Sequence, residues 1–195
     1  MIKKPLFVII AGPNGAGKTT CAKRLIPSDV PFINADEIAN GLPLEIGINP
    51  DMAASRALLK AMSECEATRA SFAIETTLAS KTLTAKIRHF QKAGYHVQMI
   101  FLWLSSVDLA IDRVMERVRR GGHSIPATTI RRRYASGIKN FFELYKNLPD
   151  SWRFFDNSIL GEPRLLATGT ATELAPEHII LSDLWNTILE GIRRG

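Results

Sequence analysis

Short, mostly apolar blocks alternate along this chain with longer segments in which apolar residues recur every three or four positions. The blocks are Leu6 to Ala11 (LFVIIA), Pro31 to Asn34, Ser71 to Thr76 (SFAIET) and His96 to Leu104 (HVQMIFLWL). Blocks this short, bounded by turn residues, predict strands. The fourth is almost wholly apolar, as a central parallel strand covered on both faces should be. The helical period predicts helices over Lys18–Ile26, stopped by Pro27, and over 51–70, with Asp51 as N-cap after Pro50. Further helices are predicted over 82–94, ended by Gly94, over Val107–Arg119, and, after the interruption GGHSIP, over Ala127–Asn147. WRFFDNS and PRLLATG give two more strands, and a last helix is expected from Ala175 to Ile192. Strands alternating with helices predict an α/β fold, a mostly parallel sheet with helices on both faces. No internal repeat or low-complexity linker divides the chain, so residues 1–195 are expected to form a single domain.

Composition narrows the class without changing this picture. A chain of 195 residues, 46% of them hydrophobic, can bury one sizeable core. Cys21 and Cys65 lie far apart and outside any CxxC or Cys/His spacing, so neither a disulfide framework nor a zinc site is expected and the compartment is read as a reducing cytoplasm. The apolar run near the N-terminus is short and leads straight into glycines, which predicts a buried strand rather than a signal peptide. No stretch has the length of a membrane span, so no membrane partner is expected. The net charge of +6 would suit a nucleic-acid binder, but the arginines crowd between Arg113 and Arg133 with no interleaved aromatics. A local anion site explains that crowding better.

Gly12-Pro13-Asn14-Gly15-Ala16-Gly17-Lys18-Thr19 matches GxxxxGK[ST] in full, between an apolar strand and a helix. Glycines let successive backbone N–H groups wrap a polyphosphate where Cβ atoms would collide, and the helix N-terminus adds to the anion site. Gly12 to Thr20 are therefore assigned to a purine nucleotide, ATP. Lys18 supplies a charge for the β- and γ-phosphates, and Thr19 a hydroxyl for Mg²⁺.

A kinase acting on a hydroxyl needs a carboxylate near the γ-phosphate. Asp36, in Asn34-Ala35-Asp36-Glu37 after the second strand, is the candidate base; its position also suits an N-cap for a helix starting at Glu37. Glu75 ends the SFAIET strand and is followed by Thr76 and Thr77. Glu75 and Thr77 are assigned to the acceptor side, Glu75 ordering the Mg²⁺ shell or binding a substrate hydroxyl; the alternative is that ETT caps the next helix. The segment RVMERVRRGGHSIPATTIRRRY predicts a helical, arginine-rich lid over about residues 117–133. Arg117, Arg119, Arg120 and Arg131 to Arg133 flank its hinge, one or two of them reaching the phosphates and about half, by helix spacing, only solvated or paired with Glu116 or Asp112. His123 is read as a hinge hydrogen-bonder.

Taken together, AGPNGAGKTT, NADEIA, FAIETTL, GYHVQMIFLWL, RVMERVRRGGHSIP, IRRRYASG and FDNS resemble the zeta-toxin family of P-loop kinases, in particular its short chromosomal members. The resemblance implies a P-loop NTPase fold and an ATP-dependent kinase. Its acceptor would be a sugar nucleotide, UDP-N-acetylglucosamine in the well-known toxins, and a protein antitoxin is a possible partner. Residue by residue it implies Lys18 and Thr19 in the phosphate loop, Asp36 as base, and Glu75 and Thr77 on the substrate side. It also implies Arg120 with one of Arg132 or Arg133 on the phosphates, Arg132 being the one chosen, and Arg117 on the nucleotide. Thr76 stands where the toxins carry a glycine. Another metabolite (nucleoside, antibiotic or simple sugar acid) is the alternative acceptor, and a nucleic-acid-handling ATPase the less favoured reading.

Overall fold

The computed structural model describes residues 4–34, 50–171, 176 and 178–194. The first strand, β1 (Leu6–Ala11), leads through the glycine loop into helix α1 (Lys18–Leu25) and the two-residue β2 (Phe32–Ile33). Helix α2 (Pro50–Thr68), β3 (Phe72–Thr76), α3 (Leu83–Lys92) and β4 (His96–Trp103) follow. Helices α4 (Val107–Arg119) and α5 (Ala127–Glu143) make the hairpin that holds the arginines, and a 3-10 turn (Tyr145–Asn147) leads to β5 (Ser151–Asp156). The chain then runs through β6 (Arg164–Gly169), β7 (His178–Ile179) and α6 (Ser182–Arg194).

Among the described residues, seven strands form one sheet in the order β2-β3-β1-β4-β5-β6-β7. The first five in that order are mutually parallel, and β6 and β7 run antiparallel to their neighbours. β1 and β4 sit centrally and are buried on both faces, which is why their sequences lack the alternation of a half-exposed strand. Alternate side chains of β1 go to opposite layers. Phe7 and Ile9 join a core with Phe72, Phe90, Phe141, Phe154 and Trp185, while Val8 and Ile10 join Cys21, Ala110, Val114 and Ile130. The two layers give the α/β architecture expected of the pattern.

Register fixes where the loops emerge. Ala11 pairs with Thr76 and with Phe101, and Trp103 pairs with Asp156. The loops that begin at Gly12, Thr77, Leu104 and Asn157 therefore leave one edge of the parallel sheet together. That carboxyl edge is where open α/β sheets bind ligands.

Several expectations need correction at their ends: the helix predicted over 51–70 already includes Pro50, so Asp51 is not its N-cap, and it stops at Thr68. The helix from Ala127 stops at Glu143, not Asn147, because Leu144 leaves helical geometry and Tyr145 turns its buried ring inward through a 3-10 turn. The last helix starts at Ser182 rather than Ala175, because His178–Ile179 pair with β6 as an edge strand. Of the block Pro31 to Asn34, only Phe32–Ile33 pair as strand.

Candidate functional site

The phosphate loop is shaped by backbone that only glycine adopts readily. Gly12, Gly15 and Gly17 have φ of 141°, 79° and 77°. Space is as restrictive as conformation: a Cβ on Gly12 would overlap the Leu102 carbonyl oxygen, and one on Gly15 would lie 2.6 Å from that of Ala110. Gly17 stands at the N-cap of α1, where no side chain accepts from the first-turn amides and no acidic residue intervenes. Those uncapped N–H groups are what an anion requires. Lys18 is buried, and its Nζ donates to the Gly12 and Pro13 carbonyl oxygens at 2.9 and 3.0 Å, closing the loop on itself. Asn14 Oδ1 is buried without a hydrogen-bond partner. Ala16 is buried, whereas Thr19 and Thr20 face solvent.

Thr19 leaves α1 toward the end of β3, and its hydroxyl donates to Glu75 Oε2 at 2.8 Å. A hydroxyl that spends its proton on a carboxylate keeps its lone pairs for a cation. Oxygen ligands of this kind suit Mg²⁺, which commonly binds one or two protein oxygens and completes its shell with phosphate and water. The loop, the lysine and this pair thus fit a magnesium–nucleotide complex. Thr77 lies two residues beyond Glu75, half-buried, with its carbonyl oxygen packed against Gly137 of α5. Asp36 and Glu37 lie outside the described residues.

The hairpin brings the predicted arginines to different surroundings. Arg120 and Arg119 both bond Glu116, at 2.9 and 3.3 Å, and these hydrogen bonds hold the Glu116 carboxyl below its ordinary pKa. Arg131 pairs with Asp108 of the neighbouring helix at 2.9 Å, an ion pair between helices that spacing within one helix does not reveal. Arg117 Nη2 donates to the His123 carbonyl oxygen at 2.8 Å, so His123 serves the hinge through its backbone. Arg132, exposed, and Arg133, half-buried, make no hydrogen bond or ion pair among the described residues.

Sequence reasoning missed the support behind the phosphate loop. Asn157, fully buried after β5, donates its Nδ2 to the Ala16 carbonyl oxygen at 2.8 Å, and its own carbonyl oxygen accepts from Arg113 Nη1 at 2.8 Å. Arg113 Nη2 reaches the Ser158 carbonyl oxygen at 2.8 Å. Asp156 beside them is buried; burial by itself would raise its pKa. Hydrogen bonds from Ser158 and the bond from Arg164 at 2.6 Å outweigh that and hold its carboxyl below the usual range. The only hint was FDNS, a polar triplet ending an apolar strand. Burial pushes the Cys21 thiol up, which argues against a thiolate nucleophile next to the loop.

A parallel sheet, a glycine-shaped anion loop and a Lys–Thr–Glu group at its carboxyl edge define a P-loop kinase. The family model described as Zeta toxin matches residues 1–162, and the chain belongs to the zeta toxin family. It is 24% identical over 140 residues to an uncharacterized protein of Haemophilus influenzae, an alignment that takes in 69% of this chain and all of that protein. Among solved structures it is similar to the AvrRxo1-ORF1:AvrRxo1-ORF2 complex, with a TM-score of 0.72 at 16% identity over 95% of this chain. The match spans 63% of the length of that chain, and the same complex solved with ATP matches equally well. The PezAT chromosomal toxin-antitoxin system of Streptococcus pneumoniae gives a TM-score of 0.67 at 14% identity, covering 98% of this chain and 86% of that one. Among the described residues no helix is long and apolar enough to cross a membrane.

Proposed function

We propose that this kinase transfers the γ-phosphate of ATP to a hydroxyl of a sugar nucleotide, with UDP-N-acetylglucosamine the first candidate. The observation that carries the reading is the Thr19–Glu75 hydrogen bond at the mouth of the phosphate loop. It ties the residue that would meet Mg²⁺ to the carboxylate that borders the acceptor loop, so donor and acceptor sides meet at one point. Gly12 to Thr20 cradle the phosphates, and Mg²⁺, when bound at Thr19, would offset their charge. Lys18 exchanges its two loop carbonyls for phosphate oxygens. Asp36 accepts the acceptor's proton or orients its hydroxyl, and Glu75 and Thr77 hold the acceptor.

The hairpin over about 117–133 acts as the lid of one kinase domain spanning 1–195. Arg117 would contact the nucleotide, and Arg120 and Arg132 the migrating charge. Arg120 must leave Glu116 to do so. Both side chains are exposed, and solvent-exposed pairs contribute little, so that exchange is an easy one. Arg132 has no partner to leave among the described residues. Cytoplasm, where ATP is available, is the expected setting, and the likeness to PezAT supports an antitoxin as partner.

Incubating the protein with Mg-ATP and a panel of sugar nucleotides, nucleosides and sugar acids tests the reading by mass spectrometry. A gain of one phosphate on UDP-N-acetylglucosamine, absent with Asp36→Asn, is the expected outcome. A product only on another member of the panel would replace the acceptor and leave the kinase.

A further inference from the structure

Helix α5 carries Arg131 to Arg133 near its start and meets the loop after β3 at two positions further along. Two residues unsuited to a helix interior stand three positions apart on it, Gly137 and Asn140. Both face that loop. A Cβ on Gly137 would overlap the Thr77 carbonyl oxygen, so the glycine is what lets the helix backbone come this close. Asn140 is buried and donates Nδ2 to the Leu78 carbonyl oxygen at 2.7 Å. Beyond the helix end, the Tyr145 hydroxyl donates to the Ser80 carbonyl oxygen at 2.7 Å. Leu78, between these ties, is buried and has φ of 54°, a region leucine seldom adopts. Backbone held in such a conformation persists only where its surroundings over-determine it.

We infer that Gly137, Asn140 and Tyr145 are positioning residues for phosphoryl transfer. They fasten the Thr77–Ser80 loop to the helix that bears the lid arginines, so the acceptor contact and the arginines take their places together. The inference rests on the kinase reading of the cleft. It makes the acceptor loop respond to nucleotide: when ATP draws the hairpin onto its phosphates, α5 and the turn after it transmit that ordering to the Thr77–Ser80 loop through three carbonyl contacts.

Amide hydrogen exchange with and without the magnesium complex of a non-hydrolysable ATP analogue tests this with no acceptor present. In the wild type, nucleotide should protect the phosphate loop, the hairpin over 117–133 and the segment 76–82, the last by about tenfold. Asn140→Asp removes the donor and Gly137→Ala forces the Thr77 carbonyl aside. In both, nucleotide should still protect the phosphate loop and hairpin but no longer segment 76–82. Tyr145→Phe keeps the buried ring and serves where the other two fold poorly; it should lose part of the same response. A merely structural role would lower the melting temperature and leave the nucleotide-dependent difference intact. Wild-type response in folded variants, or a phosphate loop protected while 76–82 stays indifferent in the wild type, would overturn the coupling alone. If nucleotide protects no segment of the wild type, the kinase reading fails and takes the inference with it.

Discussion

Lys18 is the residue on which most of the chemistry depends. Its amine now bonds the Gly12 and Pro13 carbonyl oxygens, which are short-range partners within the same loop. Lys18→Ala takes a donor from those two buried carbonyl oxygens, so a lowered melting temperature should accompany a fall in transfer of on the order of 10²- to 10³-fold, the scale of losing one preorganised charge contact in a transition state. Steady-state kinetics beside a thermal melt would separate the two effects. Asn157 predicts the reverse balance. Its removal strands the buried Ala16 carbonyl oxygen, so Asn157→Ala should cost about 1–3 kcal/mol in denaturant unfolding and loosen ATP-analogue binding by way of the loop. These residues also show why one half of the site could be read from sequence and the other could not. Gly12 to Thr19 form a contiguous motif whose backbone demands are local. Arg113 meets Asn157 across 44 positions, and nothing in either neighbourhood announces the other.

Elements follow the same division. Strands β1 and β4 were legible because burial on both faces leaves a mostly apolar run, and α4 because its apolar residues keep the helical period up to GGHSIP; its cap, the Ser106 hydroxyl accepting from the Leu109 amide, emerged only with the structure. The two-residue β7 was not, since two residues carry no period and its positions are exposed. The break after Glu143 was hidden as well: Tyr145 fits a helical period and leaves it only because its ring and hydroxyl find partners in distant loops. At the β5–β6 pairing, Asp156 lies opposite Arg164, with its folded pKa depressed by Ser158 and Arg164 against the opposing pull of burial. A depressed carboxylate contributes stability that is complete above its unfolded pKa, about 4, and is lost as pH falls through the lower folded value. Stability should thus decline on acidification below about pH 4. Asp156→Asn should flatten that part of the pH profile measured by urea unfolding, and an unchanged acid slope would show that other carboxylates control it.

On the scale of the whole molecule, the sheet gathers loops from four strands at one edge, and the family match covers that entire edge, from residue 1 to 162. Positive charge is concentrated on the α4–α5 hairpin, where Glu116 and Asp108 already occupy Arg119, Arg120 and Arg131. A surface so partitioned suits a small anionic ligand better than a polynucleotide track. Retention of RNA or DNA should be weak at moderate salt; retention that falls steeply over tens to hundreds of millimolar would instead mark multiple phosphate contacts. The central claim is narrower: the γ-phosphate of ATP passes to the hydroxyl of a small molecule. Phosphorus NMR of Mg-ATP with the protein and UDP-N-acetylglucosamine follows that atom directly. A new phosphomonoester signal should grow as the γ-phosphate signal falls, and should be absent with Lys18→Ala. Conversion of ATP to ADP and inorganic phosphate alone, unaltered by any hydroxyl acceptor supplied, would contradict it.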